Sequence, residues 1–523
     1  MTSLKHTVAR NTVWTGLDTV VDFLLQTTTG ILVARAIGPS MLGAWGYVLW
    51  ISAMTVAVGN FGVPAALIKY LGDLLGQRRF AEIPGLLRRT VFFQATISVV
   101  LTGIGLTWAR YFLPLDQRTF GALTVLSILP AGMLGIATAI NAAMERLRSN
   151  AIPSIAGIVV QTSLNLATLV CGWGLVGLAT ALLLGRTCDS LLRWRFALRW
   201  LPEHLRGLGY DGQAGSGRLP LDRTLRRGLV LFCTHATILL VLRLVVWNRS
   251  EVFFLKQFCS LDQLAFYAVA TGFAALPTQL ATPFVTATSP SIYAERGRGS
   301  DGARRFTAVS WRYLALIVFP SSVGLLVLSR PLIHVLYGPK YFAAAPVLIC
   351  AMALGLLPPL AQPANSLIAA ENGQSLLVRW NVVAALLVLG LDWLLVGLFC
   401  STGAALADGL GRTIATLGVW YIAARWFKLK LPFRFAGRLF LACLVMAAPV
   451  LPFLLIGPEL LAVIAGPLVG AVAFVVGVRM AKVLDADDVD RLRALEKVLP
   501  RKARIAFLKV LAWMGRTSLK EGA

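Results

Sequence analysis

Charge is what this sequence has least of. Only 14% of its 523 residues are Asp, Glu, Lys or Arg, and 57% are hydrophobic. A soluble domain carries about 25% charged and roughly 45–50% apolar residues. The imbalance excludes a large soluble globular core. Histidine is scarce, at four residues, and no HExxH or GxSxG pattern occurs, so the usual signatures of a metalloprotease or serine hydrolase are missing. No GxxxxGK[ST] loop is present, which leaves the chain without an ATP-driven motor of its own. Seven cysteines lie scattered at 171, 188, 233, 259, 350, 400 and 443. None forms a close pair, and most sit in apolar blocks, so they read as small packing residues rather than disulfides or a zinc site. No cofactor and no metal site is expected. Short alternating segments are also lacking, which excludes a transmembrane β-barrel. No cleavable signal peptide is evident, and the first apolar block reads as an anchored helix.

What the chain does have is long apolar runs. A span needs about 20 apolar residues to cross hydrocarbon roughly 30 Å thick, and the apolar content has room for about 14. Helices alone can provide them, because each satisfies its own backbone. The expected spans are 13–35, 43–68, 90–110, 120–142, 151–172, 174–193, 229–250, 264–290, 309–329, 346–370, 379–399, 402–424, 435–456 and 459–480. Charge tests this scheme. With the N-terminus inside, alternate loops hold Arg78, Arg79, Arg88 and Arg89, then Arg146 and Arg148, then the run from Arg193 to Arg227. Arg296, Arg298, Arg304 and Arg305 follow, and then Arg425 to Arg438. The opposite loops are short and poor in basic residues. This is a positive-inside pattern with both termini cytoplasmic. It also explains the net charge of +25, which in a soluble chain would point to nucleic acid. Here anionic lipid is the partner expected, and no nucleic acid.

The longest polar connection, 194–228, is basic and rich in glycine, a flexible linker composition. It divides two similar halves. Gly177, Ala179, Ala181, Gly185 and Arg186 recur as Gly403, Ala405, Ala407, Gly411 and Arg412 at one constant offset. VARAIGPSMLGAWGY at 33–47 parallels FFLKQFCSLDQLAFYAVA at 253–270. An even number of spans separates the copies, so they share one orientation, as two parallel bundles flanking a cavity would. The expected organisation is 1–193 as a first lobe of spans one to six, 194–228 as a cytoplasmic linker, and 229–425 as a second lobe of spans seven to twelve. Spans thirteen and fourteen occupy 426–481, and 482–523 forms a cytoplasmic helical tail. Within that tail Asp485, Asp487 and Asp488 open a helix, and the basic, apolar end suits a membrane surface. The fold class is thus an all-α integral membrane protein with two pseudo-symmetric six-helix bundles plus two C-terminal helices.

Ionisable groups inside a bilayer are costly and mark function. Asp18, Asp22 and Gln26 recur at four-residue spacing on the first span, one helical face. His235 and Arg243 share a face of the seventh span. A guanidinium midway along that span needs an anionic partner, either Asp18 or Asp22 or a substrate phosphate. Arg186 with Asp189, and Asp408 with Arg412, stand in the sixth and twelfth spans; the alternative for both arginines is snorkelling to headgroups. Asp392 in the eleventh span has no evident partner.

ILVARAIGPSMLGAWGY, GNFGVPAALIKY (59–70), LIHVLYGPKYFAAAPVL (332–348) and the Gly-x-Ala-x-Ala segments together resemble the polysaccharide-export and O-antigen flippases. These belong to the multidrug/oligosaccharidyl-lipid/polysaccharide export superfamily. The resemblance covers about residues 10–480. It implies a non-enzymatic flippase in the bacterial plasma (inner) membrane that moves a polyprenyl-diphosphate-linked oligosaccharide outward by alternating access. Other polysaccharide-assembly proteins are then candidate partners. It further implies a cationic cavity, which Arg243, Arg35, Arg186 and Arg412 fit, with His235 and Gln26 as further lining. Asp18, Asp22 and Asp408 are left to ion coupling by Na⁺ or H⁺, or to gating. A multidrug/cation antiporter of the same superfamily is the alternative, and a membrane glycan polymerase or glycosyltransferase the remote one.

Overall fold

The computed structural model describes residues 2–208, 223–247, 250–455 and 458–485, together with Asp488 and Trp513. Among these residues all regular structure is helical. The chain divides into two compact units, Met1–Asn248 and Arg249–Ala523. The first contains α1 (Thr2–Gly59), α2 (Val63–Gly76), α3 (Ile83–Phe112), α4 (Arg118–Leu126), α5 (Ile128–Ala143), α6 (Arg148–Cys171), α7 (Gly174–Gly207) and α8 (Arg223–Trp247). The second contains α9 (Glu251–Phe258), α10 (Leu261–Ala274), α11 (Leu276–Arg298), α12 (Ser300–Tyr337), α13 (Ala344–Gly355), α14 (Gln362–Ala370), α15 (Gln374–Phe427), α16 (Phe433–Ala447), α17 (Leu451–Leu455) and α18 (Glu459–Met480).

Ten helical segments among the described residues are long and apolar enough to cross a membrane. Trp14–Gly76 and Gln374–Phe427 each cover two expected spans. Inside α1 the division is Gly38, at φ 78°, followed by Pro39. Glycine tolerates that conformation, and proline offers no backbone donor to continue the ladder. Inside α15 it is Cys400, at φ 48°. The expected seventh span is α8, and the thirteenth is α16 with α17. The protein is therefore an all-α, multi-pass membrane protein.

Several spans are built from two pieces. Phe61 and Gly62 both have positive φ and interrupt the expected second span between α1 and α2. Ser127 separates α4 from α5, and Pro358 and Pro359 separate α13 from α14. Hydrocarbon cannot hydrogen-bond the carbonyls such breaks release, so neighbouring side chains do. Gln94 Nε2 of α3 donates to Gly59 O at 3.3 Å. Thr413 Oγ1 and Trp420 Nε1 of α15 donate to Leu354 O and Leu360 O.

The small residues of the internal repeat mark close helix crossings. A Cβ on Gly185 would lie 2.9 Å from Gly157 O of α6, and one on Gly411 would lie 2.4 Å from a Val388 methyl. Such approaches are how membrane helices gain packing contact. The turns that open the two copies also agree. Gly174 has φ 57° and Cys400, at the same offset, φ 48°.

Three features differ from the sequence reading. The basic stretch after residue 193 is not all linker. α7 continues to Gly207, and its Ala197 and Leu205 pack in a core with Leu71, Phe80, Ile83 and Met144. α8 belongs with the first unit. Its Phe232 meets Tyr70 of α2 edge to face at 6.2 Å, and Lys69 lies over the Phe232 ring. Third, two cysteines are bonded. Cys259, in the turn between α9 and α10, and Cys400, at the α15 kink, form a disulfide with Cα atoms 5.9 Å apart. Their separation of 141 residues hid the pair, which only the packing of α9 against α15 brings together. The tail expected over 482–523 falls almost wholly outside the described residues. Asp485 and Asp488 are described, and both pair with Arg312 of α12.

The other five cysteines are free. Alkylation of protein denatured without reductant is expected to label five thiols, and seven after reduction, as read by intact mass. Seven labelled thiols without reductant would exclude the bond.

Candidate functional site

Two buried charge networks stand inside the units. In the first unit, Arg193 of α7 is 9% exposed and grips Asp189 with both arms. Nε–Oδ1 is 2.6 Å and Nη2–Oδ2 is 3.0 Å. Its remaining arm donates to Thr138 Oγ1 of α5 at 2.9 Å. The four-residue spacing on α7 makes this bidentate pairing local. The pair is charge-compensated and hydrogen-bonded, as a buried ion pair must be. Asp18 of α1 joins from the side. Ser154 of α6 donates to its carboxylate, and Arg193, Asp189 and Asp22 lie within electrostatic range. The guanidinium beside Asp18 in this unit is that of Arg193, which the sequence reading put at the very end of the sixth span and counted with the basic loop residues.

Arg186 is treated differently. About two turns before Arg193 on α7, it donates from Nη1 to Ser127 Oγ at 2.8 Å, at the break between α4 and α5. No described carboxylate pairs with it. Among the described residues its charge is therefore uncompensated in an apolar bundle.

The remaining first-unit candidates do not converge. Gln26 Nε2 donates to Asp22 Oδ1 at 2.6 Å, along the stripe on α1, and Gln26 is exposed. Arg35 is exposed at the end of the first half of α1. His235 is exposed, and its Nδ1 lies 2.8 Å from Leu231 O of its own helix. Arg243 falls in α8, but its side chain lies outside the described residues.

The second unit holds an acidic cluster. Glu251, at the start of α9, is 1% exposed, and Asp392 of α15 is fully buried. Ser250 Oγ donates to Asp392 Oδ2 at 2.6 Å, the partner that sequence could not supply. Asp408 and Arg412, one turn apart in the second half of α15, form an ion pair. Glu251 lies within electrostatic range of Asp408, Asp392 and Arg412, and Tyr267 of α10 is near Arg412. One oxygen each of Glu251 and Asp392 has no hydrogen-bond partner among the described residues. Three carboxylates thus stand in one cluster with a single guanidinium, which is paired with Asp408 and within electrostatic range of Glu251. When ionised the cluster is net negative and able to take up a cation. Among the described residues no three His, Cys, Asp or Glu side chains converge as a metal-ligand set. Sequence reasoning missed Glu251, although an acid opening the apolar run EVFF was the available signal.

The comparisons with known proteins agree with this architecture. The family described as polysaccharide biosynthesis protein matches residues 32–346. The teichuronic acid biosynthesis protein TuaB of Bacillus subtilis (strain 168) is 27% identical over 168 residues, 32% of this chain and 35% of that relative. The match therefore spans about a third of the relative's length. The lipid II flippase MurJ, in an inward closed conformation, superposes with a TM-score of 0.66 at 14% identity, over 90% of this chain and 98% of that one. An inward-facing multidrug resistance MATE family transporter of the MOP superfamily gives 0.62 at 13% identity, over 78% and 94%. These structural likenesses establish a shared transporter fold. The family match extends over more than half of the sequence, so the chain belongs to the polysaccharide biosynthesis protein family.

Proposed function

We propose that this protein is a flippase that carries a lipid-diphosphate-linked oligosaccharide across the bacterial plasma membrane by alternating access, for assembly of a cell-surface polysaccharide. The observation that carries the reading is Arg186. It is a guanidinium within a spanning helix, held by the hydroxyl of Ser127 and by no described carboxylate. A diphosphate suits it, because a guanidinium donates paired hydrogen bonds to two phosphate oxygens. Arg35 and Arg243 are further candidates for the headgroup, with Gln26 and His235 as polar lining. Asp22 and Asp18 act there as positioning or gating groups. For the lipid tail, an apolar slot of about 610 Å³ lies within the second unit, lined by Leu280, Gly324, Met446 and Gly470 among others.

The acidic cluster of Glu251, Asp392, Asp408 and Arg412 serves as the coupling site in this reading. Taking up a cation there offsets the cost of burying excess negative charge. The carboxylates are spread along α9 and α15 rather than focused on one point, which suits a proton passed between acids better than a coordinated Na⁺. The same cluster favours a second reading, a cation or drug antiporter. The two differ in cargo and are separated by one measurement. Proteoliposomes containing a fluorescent polyprenyl-diphosphate oligosaccharide should show protein-dependent translocation. Extrusion of an organic cation with no lipid translocation would overturn the flippase reading.

Arg186→Gln is expected to lower translocation about 10- to 100-fold, the loss of one or two charge-assisted hydrogen bonds. The protein level in the membrane should be unchanged, and Arg186→Lys should restore activity in part. Normal polysaccharide export by Arg186→Gln would remove Arg186 from the mechanism.

Glu251→Gln and Asp392→Asn are expected to abolish the response of translocation to an imposed proton gradient. Equal responses in variant and parent liposomes would dismiss the cluster as coupling site, and a response to Na⁺ alone would reassign the ion.

A further inference from the structure

A second slot, of about 520 Å³, lies within the first unit, between α8 and the α2–α3 region. Its walls include Phe61, Phe93, Val230 and Thr237, and Arg89 and Arg226 stand among them. Both arginines are exposed, and neither has an ion-pair partner among the described residues. Their position along the span is defined by the helices. On α8 the lining residues Arg226, Val230, Cys233, Thr234 and Thr237 share one face, so the slot extends about 16 Å along the helix axis. That is about half the hydrocarbon thickness, the depth of one leaflet. The charged end is the arginine-rich end of the unit. Leu75, Phe80 and Met144, which flank its turns, pack in one cluster there. The positive-inside rule assigns this end to the cytoplasmic leaflet.

The wall below the arginines is apolar in effect. Thr90, Thr234 and Thr237 each donate to a carbonyl of their own helix, so their methyl groups are what remains for the slot. Phe93 is 44% exposed and Val230 59% exposed, on a face that the rest of the unit leaves uncovered. An occupant therefore needs an anionic head at one end and a hydrocarbon chain one leaflet long.

We infer that this slot binds an anionic phospholipid of the cytoplasmic leaflet, with its phosphodiester between Arg89 and Arg226 and one acyl chain along α8. The occupant is a membrane phospholipid rather than the transported lipid, because a long prenyl chain outruns a slot one leaflet deep. The site is independent of the acidic cluster and of Arg186. Its failure would leave the proposed transport function untouched.

The test is native mass spectrometry of the full chain in phosphatidylglycerol or phosphatidylcholine nanodiscs. The parent protein should retain phosphatidylglycerol preferentially. Each of Arg89→Gln and Arg226→Gln is expected to cut that retention roughly 5-fold, the usual contribution of one basic residue near an anionic lipid. Val230→Trp, which keeps both charges but fills the slot, should cut it comparably. Arg88→Gln, a neighbour outside the slot, should have no effect. Unchanged retention in the double Arg89→Gln, Arg226→Gln variant would overturn the inference. So would unchanged retention in Val230→Trp, or an effect of Arg88→Gln as large as the others. Displacement of phosphatidylglycerol by equimolar polyprenyl diphosphate would assign the slot to the transported lipid instead.

Discussion

The structure depends on one constraint: a backbone carbonyl released inside hydrocarbon must find a donor from the protein. An unmet polar group buried there costs about 1–3 kcal/mol or more. Unbroken helices meet the constraint automatically, but this chain breaks its spans at Phe61–Gly62, at Ser127 and at Pro358–Pro359, and turns between spans at Gly38 and Cys400. Gln94, Thr413 and Trp420 answer particular breaks by donating to Gly59, Leu354 and Leu360. A broken span is then held by its neighbour rather than by its own ladder. Gln94 belongs to a buried polar stripe on α3 with Thr90, Ser98 and Thr102, and it is the member that reaches the break at Gly59.

That constraint also sorts the charged residues. Arg193 and Asp189 satisfy each other and Thr138, which closes their account as a structural tie. Arg186 answers the break at Ser127 with one arm and keeps its charge. Asp408 and Arg412 are paired, but Glu251 and Asp392 retain oxygens without partners among the described residues. Function is sought where satisfaction is incomplete, because only there can a ligand replace something the protein lacks. At the far end of the second unit the same logic produces an anchor. Arg312, stacked at 4.6 Å over Phe435, gathers Asp485 and Asp488 and fixes the chain just beyond α18.

The fold was largely legible in the sequence because span length and apolar content are one-dimensional properties. The basic loops added orientation as an expectation, and Gly-Pro at 38–39 marked the first break. What was not legible depended on pairing across the fold. Cys259 and Cys400 lie 141 residues apart, and nothing local marks them. Arg193 looked like the last residue of the sixth span, at the edge of a basic linker, because a run of arginines follows it. Only the packing of Ala197 and Leu205 shows that the helix is still inside the bundle there. Asp392 lacked a partner in sequence because its partner, Ser250, belongs to a turn on a different helix.

The internal repeat gives the charge pattern its meaning. At the shared offset, Gly185 and Arg186 correspond to Gly411 and Arg412, and the positive-φ turn at Gly174 corresponds to Cys400. The scaffold and one arginine are therefore common to both copies. The acids are not. Asp408 corresponds to Leu182 and Asp392 to Leu166, whereas Asp189 and Arg193 correspond to Ala415 and Val419. Among the described residues, one copy thus leaves its shared arginine without a carboxylate partner, and the other pairs it with Asp408 and sets Glu251 near it. Two different electrostatic environments for the shared arginine thus result from the same helix pair by exchange of a few side chains. In the proposed function, these two environments would link the passage of an anionic headgroup to the uptake of a cation. Neither copy could supply both elements alone, since an acid close enough to serve the cation would neutralise the arginine that serves the phosphate.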